Sequence, residues 1–190
     1  MEHERTARLG VRQRIVLAHG GRRVALSVFC PRHLQSTHLD VCRRCPRAVR
    51  IDDTSVTCLP EVDPVRAESS VGSAMGEASL AIEAGLPVAE LARLVKSAGW
   101  MAVVVLDADH RALGLIDREA VTGADPSVAA ESLVRPVEPV LESSPVISVV
   151  HRMVHERARA LPVMDAGRSA VGLVTDLDAL RWVAVRAKKT

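Results

Sequence analysis

Apolar and polar positions in the C-terminal two thirds of the chain follow the helical period and then the strand period, in an order that recurs. In VISVVHRMVHERA (146–158) and PVAELARLVKSAG (87–99), apolar residues fall on one face of a predicted helix. A short apolar run follows each helix (MAVVVL and ALPVM), then a polar turn and a second apolar run (ALGLI and AVGLV). A last helix is clearest in TDLDALRWVAVRA (175–187), and SLAIEA and PVEPVLE are possible strands before each copy. The pattern predicts a β-α-β-β-α unit of about 55 residues that is used twice.

The two copies align without a gap. Pro87 and Pro145, Asp107 and Asp165, and Gly114 and Gly172 are all 58 positions apart. One such unit has little core of its own, whereas two units can pack sheet to sheet and bury their apolar faces together. We therefore expect an α/β (α+β) architecture in which tandem repeats form a pseudo-twofold pair.

The order of the elements, together with ALPVMD, GLVTDLDAL (172–180) and the proline that opens each first helix, resembles the cystathionine-β-synthase (CBS) domain pair, or Bateman module. The resemblance covers roughly residues 71–186. It implies a regulatory, non-catalytic module that binds adenine nucleotides or adenosyl ligands between the repeats. It also implies pairing into homodimers.

The resemblance implies one nucleotide site, in the second repeat. Thr175 would contact phosphate at a helix N-terminus, where free N–H groups favour an anion, and Asp178 would accept the ribose hydroxyls. Pro162 and Ala160 would shape the pocket wall, with Val137 and Pro139 beside the base. Thr-x-x-Asp is also the pattern of a helix capping box, and both interpretations stay open.

The first repeat departs from the family pattern at three positions. GLIDREAVT (114–122) has Asp117 and Ala120 where the second copy has Thr175 and Asp178, and Val104 replaces the proline. A carboxylate at position 117 can cap a helix but opposes a phosphate. The sequence therefore predicts that this cleft binds no adenine nucleotide.

Charge and cysteines divide the chain differently. Residues 1–60 contain 11 Arg and 5 acidic residues, a balance of +6, whereas the rest has a balance of −4. All four cysteines also lie in the first part. We predict a small β-rich metal-binding domain over residues 1–62, a linker over 63–70, and repeats over 71–126 and 130–187.

The cysteines follow a knuckle pattern. Cys42 and Cys45 form Cys-x-x-Cys, flanked by Cys30 and Cys58, which the strands VALSVF and SVTCL would carry. Four thiolates suit tetrahedral zinc, giving a zinc-ribbon-like unit. His33 is an alternative ligand in place of Cys58, iron has similar ligand preferences, and reduced structural or redox-sensing cysteines are the plain alternative.

The arginines around the knuckle suggest a second function. Arg43, Arg44, Arg47 and Arg50 would contact nucleic-acid phosphates, although they would equally neutralise a zinc tetrathiolate. The chain has one Phe and no Tyr, so base-stacking platforms are nearly absent. No nucleophile–base constellation, P-loop or metalloprotease motif is visible, since the helical pair His151 and His155 lacks the glutamate of HExxH.

Together these patterns predict a cytoplasmic regulatory protein rather than an enzyme. Its ligands would be an adenosyl compound and zinc, and its partners a second copy and a protein effector. The alternative is a zinc-dependent nucleic-acid-binding regulator. No apolar run is long enough to span a membrane.

Overall fold

A computed structural model describes residues 6–18, 21–59 and 67–187. The N-terminal part consists of strands β1 (Ala7–Ala18), β2 (Gly21–Cys30), β3 (Gln35–His38), β4 (Ala48–Ile51) and β5 (Ser55–Cys58), with helix α1 (Leu39–Arg43) between β3 and β4. The strands predicted at VALSVF and SVTCL are thus confirmed as parts of β2 and β5. Of the predicted linker, residues 63–66 lie outside the described residues.

The first repeat begins with the short helix α2 (Val71–Ala74). It continues through β6 (Ala78–Glu83), α3 (Val88–Ala98), β7 (Ala102–Leu106), β8 (Ala112–Asp117) and α4 (Arg118–Gly123). A 3-10 turn (Ala130–Leu133) leads to the second repeat: β9 (Val140–Leu141), α5 (Val146–Glu156), β10 (Ala160–Met164), β11 (Ala170–Thr175) and α6 (Asp176–Ala187). The predicted β-α-β-β-α order is therefore confirmed, with β9 shorter than PVEPVLE suggested.

The 58-residue repeat extends to backbone detail. Ala102 pairs with Asp117 across the β7–β8 hairpin, and Ala160 pairs with Thr175 across β10–β11, at equivalent positions. The turns match as well, because His110 and Arg168 both have positive φ, at 61° and 68°. Equal local sequence patterns have thus produced equal hairpins.

Two sheets carry the fold. One runs β3-β2-β1-β6-β7-β8, with β5 also paired to β1 and β4 to β5, and the other runs β11-β10-β9. The largest core cluster draws on both repeats, for example Leu115 and Leu161, which are fully buried. Burial of both faces together is what the repeat pattern predicted.

The predicted separate N-terminal domain is wrong in one respect: its sheet is continuous with that of the first repeat. β1 runs parallel to β6, with Ile15 beside Leu80 and Val16 beside Ala81. Val16 lies in the core cluster shared by the repeats, and Leu17 in that of the first repeat. Composition could not show this, because strand pairing over 60 residues leaves no mark on local charge balance.

Candidate functional site

Thr175 and Asp178 form a reciprocal capping box at the start of α6. The Thr175 Oγ1 accepts a hydrogen bond from the Asp178 amide at 3.1 Å. Asp178 Oδ2 in turn accepts from the Thr175 amide at 2.9 Å and from its hydroxyl at 2.8 Å. The hydrogen bonds of a helix capping box are therefore present at Thr-x-x-Asp.

A cavity of about 340 Å³ opens beside this cap. That volume lies within the usual range for small-molecule sites. Its walls come from one face of α6, from α2 and from Glu68, which precedes α2. The lining residues are Glu68, Ser73, Ala74, Asp178, Arg181, Trp182, Val185 and Arg186. Asp178, only 6% exposed, is at the buried end of that helix face.

The other predicted site residues lie behind this cap rather than along the cavity. Ala160 is the strand partner of Thr175 and Pro162 that of Leu173, so both share a sheet with the capping threonine. Ala160 and Val137 are buried in the core between the repeats, at 3% and 8% exposure, and Pro139 is half-buried. The structure thus groups Ala160, Pro162 and Thr175, and places Asp178 alone of the six on the cavity.

Sequence reasoning missed the residues that α6 and α2 add. Trp182 donates from its indole Nε1 to the Glu68 carbonyl at 2.8 Å, and the Arg186 guanidinium lies 4.4 Å from its ring centre. The spacing of Asp178, Arg181, Trp182 and Val185 marks one helix face and was a usable signal. The contribution of α2 carried no such signal, since it depends on tertiary packing.

In the first repeat, the residue equivalent to Thr175 is Asp117, and its side chain is paired with another residue of the same chain. The Asp117 carboxylate accepts two hydrogen bonds from the Arg135 guanidinium, at 3.1 and 3.3 Å. The Arg135 backbone also exchanges two hydrogen bonds with Leu115 on β8. A Cβ at Gly114 would lie 2.3 Å from the Arg135 carbonyl oxygen, so this segment lies directly against the strand.

A buried cation lies near the second-repeat cap. Burial lowers the pKa of Arg12 to about 10, opposed by the nearby charges of Glu142 and Asp178. Burial also raises the pKa of Glu142, although hydrogen bonds from Ser36 favour its ionised form. The N-terminal part therefore contributes charge to this region of the repeats.

The four cysteines converge on a second cavity of about 110 Å³. Cys30, Cys42, Cys45 and Cys58 all line it, as does His33. All four are free thiols. Burial, followed by the neighbouring sulfurs, raises the pKa of Cys42 and of Cys58. Within the described part of the chain, however, no three ligand side chains have the arrangement of a metal site, so the predicted zinc is not confirmed.

Part of the basic charge around the knuckle is neutralised locally. Arg43 donates to the Asp40 carboxylate within α1 at 2.8 Å, and Arg44 donates to the Asp40 carbonyl. Nucleic-acid binding by this surface stays a prediction.

Comparison with known families bears on the second repeat. Residues 130–185 match the model of the CBS domain. The match covers β9 to α6 and so includes Thr175 and Asp178. A search of curated proteins found no match.

Solved structures extend the likeness to both repeats. The cytosolic domain of the Mg²⁺ channel MgtE, solved with ATP, is 24% identical with a TM-score of 0.55, over 63% of this chain and 55% of that one. A CBS domain pair solved with 5′-methylthioadenosine and S-adenosyl-L-methionine is 19% identical with a TM-score of 0.55, over 62% and 97%. A CBS domain pair/ACT domain protein from Thermotoga maritima is 18% identical with a TM-score of 0.54, over 62% and 98%.

At these identities the likeness shows the fold, which is that of a CBS domain pair. The chain spans only about half the length of some of these structures. It covers 55% of the MgtE domain and 49% of another similar structure, the soluble part of a magnesium transporter. No helix in the ranges that the structure describes is long and apolar enough to cross a bilayer.

Proposed function

We propose that this chain is a cytosolic regulatory protein whose CBS pair binds an adenine nucleotide or adenosyl ligand at the second repeat. The observation that carries the proposal is the buried Asp178 carboxylate at the end of a 340 Å³ cavity, beside the Thr175 hydroxyl at a helix N-terminus. Such a carboxylate accepts ribose hydroxyls, and the helix N-terminus favours a phosphate. Two solved structures of similar fold hold such ligands: the cytosolic domain of MgtE holds ATP, and a CBS domain pair holds S-adenosyl-L-methionine.

The contrast between the repeats supports a single nucleotide site. In the first repeat the Asp117 carboxylate is paired with Arg135, and Ala120 has no group to accept ribose hydroxyls. An incoming phosphate would have to break this pair and would meet a carboxylate. We therefore place the ligand in the second repeat, against Asp178 on the cavity and the adjoining Thr175. The other predicted site residues, Pro162, Ala160, Val137 and Pro139, do not line the cavity and would act only through this corner.

Ligand binding would reach a protein effector by a shift in the packing of the repeats. Such a shift requires the ligand to bind one packing more tightly than the other. Asp178 and Trp182 lie on the same face of α6, and this helix also contacts α2. A ligand between α6 and α2 would therefore change the distance between two elements of different repeats.

The test is isothermal titration of the full chain with AMP, ATP and S-adenosylmethionine. We expect at least one to bind, Thr175→Ala and Asp178→Ala to abolish binding, and Asp117→Ala to leave it intact. Asp117→Ala is the control, because it changes the equivalent N-cap position of the first repeat, where the side chain makes no capping hydrogen bond, and like Asp178→Ala it removes a carboxylate. Absence of heat with all three ligands at millimolar concentration overturns the proposal.

We also propose that the chain forms homodimers through α5 and α6. These helices pack together and expose Val154, Leu177 and Leu180 at 75%, 51% and 65%. Apolar side chains this exposed are favourable in an interface. Light scattering should report a dimer that Leu180→Glu converts to a monomer, and a monomeric wild type would contradict it.

The convergence of the four cysteines supports a second candidate, a structural zinc. Cys30, Cys42, Cys45 and Cys58 line one small cavity, and four thiolates are a ligand set that suits tetrahedral zinc. Metal analysis of the purified full chain should then find one zinc that Cys42→Ser removes and His33→Ala retains. Loss of the zinc in His33→Ala would instead support His33 as a ligand. The same analysis would detect iron if iron is the bound metal. A metal-free chain with four reactive thiols excludes both zinc and iron.

A further inference from the structure

Two acidic side chains, Glu142 just after β9 and Asp178 of α6, lie near enough to Arg12 of β1 for their charges to act on it, where the N-terminal sheet contacts the repeats. Arg12 Nη2 donates to the Gly72 carbonyl of α2. The Gly72 amide donates to the Glu142 carbonyl at 2.7 Å. Glu142 Oε1 accepts from the Ser36 amide of β3, also at 2.7 Å. Glu142 of the second repeat is thus bound from both sides by elements that precede it in the chain.

Two of the polar atoms in this group lack a hydrogen-bond partner. Arg12 Nη1 and Glu142 Oε2 are buried and have no hydrogen-bond partner among the residues that the structure describes. Buried polar atoms normally have a partner, because an unpaired one loses its hydration without compensation. The guanidinium therefore has an unused donor and Glu142 an unused acceptor, in a region whose charges attract each other.

Packing makes the contact between the N-terminal sheet and α2 close. The Phe29 ring lies so near Gly72 that an added Cβ would be 2.2 Å from two ring carbons. The Arg12 guanidinium lies 5.9 Å from the centre of the same ring. Four residues further on, a Cβ at Gly76 would lie 3.2 Å from Asp178 Oδ1. A continuous set of contacts therefore runs from Phe29 and Arg12 through α2 to Asp178.

We propose that Arg12 is a positioning residue of the Asp178 site and couples it to the N-terminal sheet. Its guanidinium is bound to the Gly72 carbonyl, and the charges of Glu142 and Asp178 both attract it. Hydroxyl donors on Asp178 would weaken that carboxylate's attraction for Arg12, and the guanidinium would move towards Glu142 Oε2. Glu142 would then hold Arg12 with one oxygen and Ser36 with the other. The ligand step rests on the proposed function.

The ligand experiment compares wild type, Arg12→Met, Arg12→Lys and Arg14→Met as full chains titrated with AMP, ATP and S-adenosylmethionine. Arg14 is a matched control, since it is two residues along the same strand, is also partly buried, and is influenced by Asp165 rather than Asp178. We expect Arg12→Met to weaken binding about tenfold, within the usual range of coupling between sites. Arg12→Lys should keep part of the affinity and Arg14→Met all of it.

Hydrogen exchange at the Ser36 amide separates coupling from a merely structural role. A saturating ligand should slow this exchange several-fold in wild type and in Arg14→Met, and leave it unchanged in Arg12→Met. Wild-type affinity in Arg12→Met, together with a normal Ser36 response, overturns the proposal. Should Arg12→Met fail to fold, Arg12→Lys still tests it, because a shorter cation should reduce both responses.

A ligand-free arm distinguishes this proposal from the proposed function. Asp178→Asn removes the charge that competes for Arg12, and we expect it alone to slow Ser36 exchange, an effect that Arg12→Met reverses. Should wild type bind none of the three ligands, the proposed function fails while this arm still reports on the coupling. Unchanged Ser36 exchange in Asp178→Asn overturns the coupling whether or not a ligand binds.

Discussion

Gly72 lies in α2 with its Cα facing the Phe29 ring. An alanine methyl group there would lie 2.2 Å from two ring carbons, so either the ring or the helix must move. We expect Gly72→Ala to destabilise the protein by about 1–3 kcal/mol, as overpacked cores do. Gly123→Ala is the control, because that helical glycine has no atom within 4 Å of its added Cβ. Urea unfolding should show no loss for Gly123→Ala, and equal effects of the two changes would contradict this account.

Glu142 gives the folded state a distinct dependence on pH. Burial raises the pKa of its carboxyl above the unfolded value, so between the two values the folded chain binds more protons. Its contribution to stability must then fall as pH rises through that window. Glu142→Gln keeps an acceptor for Ser36 and should flatten this part of the profile. Urea midpoints between pH 4 and 7 measure it, with exposed Glu131→Gln as a control that should keep the wild-type slope.

At the scale of elements, the two equivalent helices α3 and α5 end in the same geometry with different residues. Gly99 follows α3 with φ of 70°, and Arg157 follows α5 with φ of 52°. A left-handed backbone suits glycine and strains other residues by about 1–2 kcal/mol. Arg157→Gly should therefore raise the free energy of unfolding by about 1 kcal/mol, and Gly99→Ala should lower it by a similar amount. Thermal melting of both variants checks the sign, and a destabilised Arg157→Gly would refute the argument.

The elements also differ in how clearly their sequences predicted them. The helices 88–98 and 146–156 were predicted because their apolar residues keep the helical period over three turns. β1 was not predicted, since Arg8, Arg12 and Arg14 interrupt its apolar pattern. The arginines are tolerated because Arg8 is exposed, Arg14 is half-buried, and Arg12 finds partners in α2 and Phe29.

For the whole molecule, β1 is the element that joins the N-terminal sheet to the repeats. Removing residues 1–60 would uncover the paired edge of β6 and the apolar neighbours of Val16 and Leu17. An exposed edge strand with apolar surface favours self-association. We expect residues 61–190 alone to elute as aggregates in gel filtration, in contrast to the full chain. A stable, well-folded fragment would show that the N-terminal sheet is dispensable for the CBS pair.

Part of the candidate site could be predicted from the sequence, and part required the tertiary structure. Thr175 and Asp178 were found from sequence because a capping box and a ligand corner both lie within four residues. The walls of the cavity were not, because Ser73 and Trp182 are over 100 positions apart and meet only when α2 packs on α6. The sequence predicted that Asp117 is unsuitable for phosphate, whereas its pairing with Arg135 required the packing of the inter-repeat segment on β8.

The sequence by itself determined the duplicated β-α-β-β-α unit, its hairpins, the Thr175 cap, and the unequal polar groups of the two repeats. These features depend on residues within a few positions of one another, where periodicity and hydrogen-bond geometry suffice. Only the tertiary structure decided that β1 joins β6, that four cysteines share one cavity, and that Arg12 contacts α2. Each of these depends on which distant surfaces are buried together, and burial is a property of the whole chain.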